Sequence, residues 1–375
     1  MDQKKILISA GGTGGHLYPA QGLADELLDL HSGWHIMFAA GGLSTNKFFN
    51  RETYDYKDIT TATFGKSIFD TFRSFKNIFK GFMQSRKLLK EFKPDLVIGF
   101  GSFYTFPTLL AAKTLKIPII LHEANSIPGK VNRYLSPYAA VTAIHFPGSA
   151  SFLKGNIVQV GMPIRKGYEF NPSLRQEALS YFNLKSGCPT LLVFGGSQGA
   201  KAINNLATEA LTSILHQQLK SLQIIHLTGG SEATDYVQVA YAKQGIHACI
   251  RDFETRMDLA WSIADFALVR AGASSIAEQV EYEVPGILIP YPFATDDHQS
   301  LNAQYFVTEV QGGVVYKESD SNAKKLAIEI LSFLDENQSK IKLLKANIAE
   351  FKKDRKNENF CHLVLSTLGQ LEDNE

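Results

Sequence analysis

In the first half of the chain, short continuous apolar runs alternate with longer stretches of helical periodicity. The runs at 4–9, 34–39, 95–99, 118–121 and 139–143 are bounded by glycine or polar residues and lack an in–out alternation. That pattern predicts strands of a parallel sheet covered by helices on both faces. The second half repeats the scheme at 191–194, 222–227, 266–269 and 286–290. Between the two series, Val160-Gly161-Met162-Pro163-Ile164-Arg165 and a polar stretch to about Leu174 form the best linker candidate. From about 320 onward the pattern is helical, with Lys and Glu at exposed spacing. The fold class expected is α/β, with two Rossmann-like doubly wound domains facing across a cleft. Ligands of such sheets gather outside the carboxyl ends of the strands.

Glycine-rich turns sit where that rule puts ligands. Gly11-Gly12-Thr13-Gly14-Gly15-His16 follows the first strand and opens a helix, bringing bare N–H groups and a helix N-terminus to one point. It is not a dinucleotide fingerprint. Counting from Gly12, the third glycine slot holds Leu17, and the second strand ends in Ala39-Ala40-Gly41-Gly42 without a ribose acid. A phosphate-binding Walker loop is absent too, since the nearest match, 195–201, has Ala200 where glycine belongs. The second series carries Gly195-Gly196-Ser197-Gln198-Gly199, which reads as a phosphate cradle or as a tight packing turn. A third site, Arg270-Ala271-Gly272-Ala273-Ser274-Ser275-Ile276-Ala277-Glu278, again opens a helix after an apolar run. Glu278, about one turn in, could accept both hydroxyls of a ribose or merely complement the helix dipole. Asp296-Asp297-His298-Gln299 offers imidazole and amide groups for sugar hydroxyls, or an ordinary polar helix start.

At 375 residues the chain exceeds one ordinary core and reads as two domains. A formal net charge of +1 gives no global affinity for nucleic acid. The charge is unevenly spread, however: residues 64–93 hold eight Lys/Arg against two acids. Cys188, Cys249 and Cys361 show no metal or disulfide spacing, which fits a reducing cytoplasm. Met1-Asp2-Gln3-Lys4-Lys5 runs into a strand too short for a signal h-region, so no signal peptide is expected, and no apolar run is long enough to span a bilayer.

The three glycine motifs, His122-Glu123-Ala124-Asn125 and Asp297-His298-Gln299 occur in a register that resembles one family. It is the family of bacterial cell-wall glycosyltransferases that attach N-acetylglucosamine to undecaprenyl-diphospho-muramoyl pentapeptide, turning lipid I into lipid II in peptidoglycan synthesis. The likeness covers nearly the whole chain. It implies a GT-B fold, with residues 1–164 as acceptor and membrane-facing domain, 165–344 as UDP-sugar domain, and a terminal helix at 345–375 packing back on the first. It implies UDP-N-acetylglucosamine as donor. Ser197 would meet the diphosphate, and Arg165 would lie near the donor. Ala273, Ser274, Ser275, Ile276 and Ala277 would hold phosphate and ribose, with Glu278 on the ribose hydroxyls. Gln299 and Asn125 would touch the sugar, and Thr13, Gly14 and Gly15 would form the opposite lip. His298 and Ala124 stand where some members carry glutamine, so those contacts depart from the family pattern.

The implied reaction joins C1 of the donor sugar to the C4 hydroxyl of muramic acid with inversion. A base must take the hydroxyl proton, and positive groups must hold the charge growing on the diphosphate. No D-x-D pair is present for a metal. Helix N-termini at Ser197 and Ala273, with Arg165, could supply the stabilisation, so no cofactor and no metal are expected. His16, beside a helix N-terminus that disfavours its protonated form, is the first candidate base. Glu123 is the rival, or else orients its loop.

A lipid acceptor requires work at a membrane surface. Ile68, Phe72, Phe75, Phe79 and Phe82 fall on one helical stripe flanked by Arg73, Lys76, Lys80 and Lys87, with Asp70, Ser74, Asn77 and Gly81 opposite. Such a stripe suits an anionic membrane surface, or packs on the sheet with lysines snorkelling around it. The expected place is peripheral, on the cytoplasmic face of the inner membrane. Expected partners are the two substrates, anionic lipid and other cell-wall synthesis proteins, with no nucleic acid. Two rivals share the architecture: a UDP-N-acetylglucosamine 2-epimerase, and a non-catalytic nucleotide-sugar-binding subunit.

Overall fold

The computed structural model describes residues 3–62, 68–196, 199–214, 222–320, 322–335, 337–355 and 357–372. It divides the chain into two compact units, Met1–Lys166 with Lys356–Glu375, and Gly167–Arg355.

In the first unit the strands are β1 (Lys5–Ser9), β2 (His35–Ala40), β3 (Asp55–Asp58), β4 (Leu96–Gly99), β5 (Ile119–Glu123), β6 (Val141–Ile144) and β7 (Ile157–Gln159). All pair in parallel, in the order β3-β2-β1-β4-β5-β6-β7. Alternate residues of the central strands feed opposite faces. Ile6, Ile8, Leu96, Ile98 and Ile120 enter one apolar cluster; Leu7, Val97, Ile119 and Leu121 enter the other. Both faces are therefore dry, which explains the unbroken apolar runs. Helix α1 (Gly14–Leu30) covers the first face. Helices α2 (Ile68–Phe92), α3 (Phe106–Thr114) and α4 (Lys130–Leu135) cover the second.

Helix α2 meets the unit with its small polar side rather than its aromatic one. Ser74, Gly81, Ser85, Leu89 and Phe92 are buried, whereas Phe75 and Phe79 are 59% and 65% exposed. The close approach is set at Gly81, where an added Cβ would lie 1.8 Å from the Thr60 carbonyl oxygen. Ser85 Oγ lies 3.2 Å from Thr108 Oγ1 of α3, and Gln84 Oε1 accepts from Thr60 N. Arg73, Lys76 and Lys80 are exposed beside the phenylalanines, and exposed Met83 extends their row at the next turn. Phe82 departs from the expected stripe: it is half-buried against the second-face cluster, with Arg86 over its ring at 5.7 Å. It sits one residue beyond Gly81, where the helix presses on the unit. The side chains of Ile68 and Phe72 lie outside the described residues.

The second unit contains β8 (Thr190–Phe194), β9 (Gln223–Leu227), β10 (Ala248–Arg251), β11 (Phe266–Val269), β12 (Gly286–Leu288) and β13 (Gly313–Val315). They are again parallel, in the order β10-β9-β8-β11-β12-β13. Its helices are α5 (Leu174–Tyr181), α6 (Lys201–Ser213), α7 (Ser231–Lys243), α8 (Met257–Ile263), α9 (Ala273–Glu281), α10 (His298–Thr308), α11 (Ala323–Phe333) and α12 (Ser339–Asp354).

The return to the first unit begins after Arg355, not at 345. Residues 345–354 continue α12, which the second unit holds: Ile341 joins its core, Ile348 is buried beside Gly312, and Lys352 pairs with Glu281 at 3.1 Å. Glu358 then bridges Val160 in parallel. Helix α13 (Phe360–Glu372) follows, inserting Phe360, Cys361, Leu363, Val364 and Leu368 into the core beside α1.

Candidate active site

In the first unit, the loops leaving β1, β2, β4 and β5 meet at the carboxyl ends of the strands. Gly11 and Gly12 lie against Tyr104 of the loop after β4. A Cβ on Gly11 would come 2.9 Å from Tyr104 Cβ, and Gly12 has φ +93°, a left-handed conformation that favours glycine. Asn46 Nδ2 donates to the Gly12 carbonyl at 2.7 Å, fixing the loop from the β2 side. Thr13 caps α1 through its backbone, its carbonyl accepting from His16 N at 3.1 Å. Thr13 and Gly15 are exposed, Gly14 is buried under the Tyr18 ring, and His16 is half-buried in the first turn of the helix. Arg165 stacks its guanidinium 3.9 Å from the Tyr18 ring centroid, one turn further along the same helix.

Next to this loop, β5 ends in His122 and Glu123, both buried. Glu123 Oε1 accepts from Asn125 N at 2.9 Å and from Asn125 Nδ2 at 3.5 Å. Its Oε2 accepts from Gly129 N and Asn132 Nδ2, both at 2.9 Å. Burial raises the pKa of this carboxyl, and the four donors offset only part of that rise. A carboxylate enclosed in this way holds the 124–129 loop in shape. Asn125 is thereby held half-buried at the loop's start. Burial, and then the nearby His16, lower the His122 pKa to about 3, so its ring stays neutral. That ring lies between Phe100, at 5.0 Å, and Phe360 of α13, at 5.1 Å.

In the second unit, the loop after β8 is closed by its glycines. A Cβ on Gly195 would fall 2.3 Å from Ala200 Cβ, and one on Gly199 would fall 2.4 Å from the Thr228 carbonyl oxygen. Packing therefore requires those two glycines, whereas Gly196, at φ +89°, faces open space. Ser197 lies outside the described residues. Beneath the loop, Asn204 Nδ2 donates to the Thr228 carbonyl, so its Oδ1 accepts from His226 Nε2. His226 Nδ1 must then accept from Tyr241 O–H at 3.0 Å. Burial lowers the His226 pKa to about 3, in keeping with a neutral ring.

The loop after β11 opens α9 from a Gly272 cap. Ala273, Ile276 and Ala277 are buried, so of the residues expected on phosphate and ribose these three can present only backbone atoms. Ser274 Oγ is shut from water without a hydrogen-bond partner in the protein, near the positive end of the helix. Ser275 and Glu278 are half-buried. Glu278 Oε2 accepts from the Trp261 indole N–H at 2.7 Å. Arg270, which begins the motif, is spent on structure: its Nη1 donates to the carbonyls of Ile289 and Pro290 and pairs with Glu318 at 2.6 Å. It thereby fixes the next loop, where Tyr291 N donates to Gln299 Oε1 at 3.0 Å. His298 Nδ1 lies 2.8 Å from the Thr295 carbonyl.

Trp261, Asn132 and Tyr18 were not anticipated from sequence. Their partners lie on other elements, and the available signal was weak: a lone indole or amide in an apolar segment needs a hydrogen-bonding partner somewhere. Among the described residues no group of three or more His, Cys, Asp or Glu could hold a metal ion. Nor is any described helix long and apolar enough to cross a membrane.

Comparison with known proteins places these features in a family. Residues 6–144 match the glycosyltransferase family 28 N-terminal domain, and residues 190–358 match the family 28 C-terminal domain. A relative from Protochlamydia amoebophila is 46% identical over 97% of this chain and 96% of its own. One from Halothermothrix orenii is 36% identical over 86% of this chain and 88% of its own. Both are named "UDP-N-acetylglucosamine--N-acetylmuramyl-(pentapeptide) pyrophosphoryl-undecaprenol N-acetylglucosamine transferase". The crystal structure of Acinetobacter baumannii MurG shares the fold at TM-score 0.73 and 24% identity, covering 98% of this chain and 99% of that one. With two parallel doubly wound domains, both family 28 halves and close relatives along nearly its whole length, the chain belongs to glycosyltransferase family 28, in its GT-B-fold N-acetylglucosaminyltransferase branch.

Proposed function

We infer that the chain transfers N-acetylglucosamine from UDP-N-acetylglucosamine to lipid-linked N-acetylmuramoyl pentapeptide, converting lipid I to lipid II, with inversion at the anomeric carbon. The observation that carries this reading is the 46% identity over 97% of the chain to a transferase of that name. In this reading the second unit takes the donor. The amides opening α9 and the partnerless Ser274 hydroxyl suit an anionic phosphate, and Glu278 suits the ribose hydroxyls. Ser197 and Arg165 serve the diphosphate side, Gln299 and Asn125 the sugar. The first unit takes the acceptor, with Thr13, Gly14 and Gly15 as its lip. His16 is the base, supported by its place in the first turn of α1 beside exposed Gly15; Glu123 holds the neighbouring loop.

Helix N-termini stabilise the leaving diphosphate without a metal or other cofactor in this proposal. Transfer assayed with UDP-N-acetylglucosamine and a lipid-linked muramoyl acceptor, with EDTA present, tests reaction and metal independence together. Product at the rate seen without EDTA is expected. Epimerised sugar formed without acceptor would overturn the reading in favour of the epimerase.

The exposed row Phe75, Phe79 and Met83, bordered by Arg73, Lys76 and Lys80, is the membrane contact of the same proposal. It puts the enzyme on the cytoplasmic membrane face, where its lipid substrate and other cell-wall synthesis proteins work, with the cell-shape and division roles that follow. Flotation with anionic vesicles is expected to carry the protein, and Phe75→Ser with Phe79→Ser to release it. Unchanged flotation of the double variant would refute the contact.

A further inference from the structure

We propose that Trp261 is the positioning residue that makes Glu278 discriminate the ribose 2′-hydroxyl of the nucleotide donor. The inference rests on the donor reading above and deepens it.

Trp261 lies on α8 and is fully buried. Its indole N–H donates to Glu278 Oε2 at 2.7 Å, reaching from one helix to a half-buried side chain of another. Its ring meets Phe194 edge to face, with centroids 5.6 Å apart and planes at 77°. Phe194 closes β8 directly before Gly195, so one buried side chain braces both the root of the first donor loop and the acid of the second. The chemistry of the contact is one-directional. An indole can only donate, so the carboxylate is held as an acceptor in one orientation. A glutamate side chain otherwise samples many rotamers, and fixing it beforehand removes that cost from donor binding. A carboxylate locked in this way accepts well from vicinal hydroxyls only where they present matching geometry. Loss of one hydroxyl is then felt as a misfit.

A purely structural tryptophan would affect stability without changing which sugar is accepted. The test is therefore the ratio of kcat/KM for UDP-N-acetylglucosamine to that for its 2′-deoxyuridine analogue. Trp261→Phe is expected to lower that ratio at least tenfold, mainly through the KM of the ribose donor, with the acceptor KM unchanged. Replacing Trp261 by benzothienylalanine keeps the shape and removes only the N–H. It should lower the ratio equally while leaving the thermal midpoint near that of the parent protein, and it decides the matter if the phenylalanine variant fails to fold. A benzothienylalanine protein with the parental ratio overturns the inference. Glu278→Gln separates the layers. If it keeps the ratio, the ribose assignment of Glu278 is wrong and Trp261 has nothing to position. If it abolishes the ratio while the isostere does not, only the role of Trp261 is wrong.

Discussion

Replacing Glu123 by glutamine separates two roles that a carboxylate at the end of β5 could play. In the structure every contact to this carboxylate comes from a donor: Asn125 N and Nδ2 on one oxygen, Gly129 N and Asn132 Nδ2 on the other. Glutamine keeps one oxygen and turns an NH₂ toward two of those donors. Two lost charge-assisted bonds at about 1.5–3 kcal/mol each set a gross cost of roughly 3–6 kcal/mol. Burial opposes the native charge, and the neutral amide is spared that penalty, so the expected net loss is about 2 kcal/mol. Urea denaturation should show that loss. Because the disturbed loop carries Asn125, assigned above to the donor sugar, kcat/KM for the donor should fall about thirtyfold, the equivalent of ~2 kcal/mol. The acid limb of the pH–rate profile should stay as in the parent enzyme, because the proposed base is His16. A Glu123→Gln protein of normal stability whose acid limb disappears would refute this reasoning and make Glu123 the base.

The other predictions are shorter. Gly81→Ala, whose Cβ would sit 1.8 Å from the Thr60 oxygen, gains about 1 kcal/mol of helix propensity but overpacks by more; a net loss near 2 kcal/mol is expected in denaturant, and stabilisation would contradict the close approach. His122 and His226 both fall from 6.5 to about 3 in the fold, so the unfolded chain binds more protons below pH 6.5 and stability drops as pH falls through that window. At pH 5 each should cost about 2 kcal/mol relative to pH 7, and His122→Phe should remove half of the combined loss; an unchanged pH slope would count against a neutral buried ring. Arg270→Lys cannot span two carbonyls and Glu318 together and should raise the donor KM about tenfold while sparing the acceptor KM, measured by steady-state kinetics.

The interior of each sheet was legible in the sequence, and its edges were not. The apolar runs anticipated β1, β2, β4, β5 and β6, and β8, β9, β11 and β12. The strands left unread are β3, β7, β10 and β13, which form the two margins of each sheet. The reason is physical: a margin strand has a neighbour on one side only and needs less apolar surface. Asp55-Tyr56-Lys57-Asp58 carries no apolar run, and Gly313-Val314-Val315 is too short to register. The glycine motifs were readable because close packing and positive φ constrain residue type directly, as at Gly12 and Gly199. The periodicity of α2 gave its aromatic stripe but not which side faced inward. That was decided by Gly81 and Ser85, whose small size permits an approach that hydrophobicity alone cannot reveal. Contacts such as Trp261 to Glu278 join separate helices, and one sequence carries no record of such pairs.

The return of α13 has a consequence for biosynthesis. Phe360, Val364 and Leu368 fill one side of the first unit's core, yet they are synthesised after the entire second unit. At roughly 5–20 residues per second, the stretch from 166 to 360 takes on the order of 10–40 s to translate. For that interval the earlier-made unit has an open apolar trough along α1, while the later-made one can already close on itself. Assembly order is thus the reverse of chain order for the half that starts first: the core of the first unit closes only after the second unit has been made.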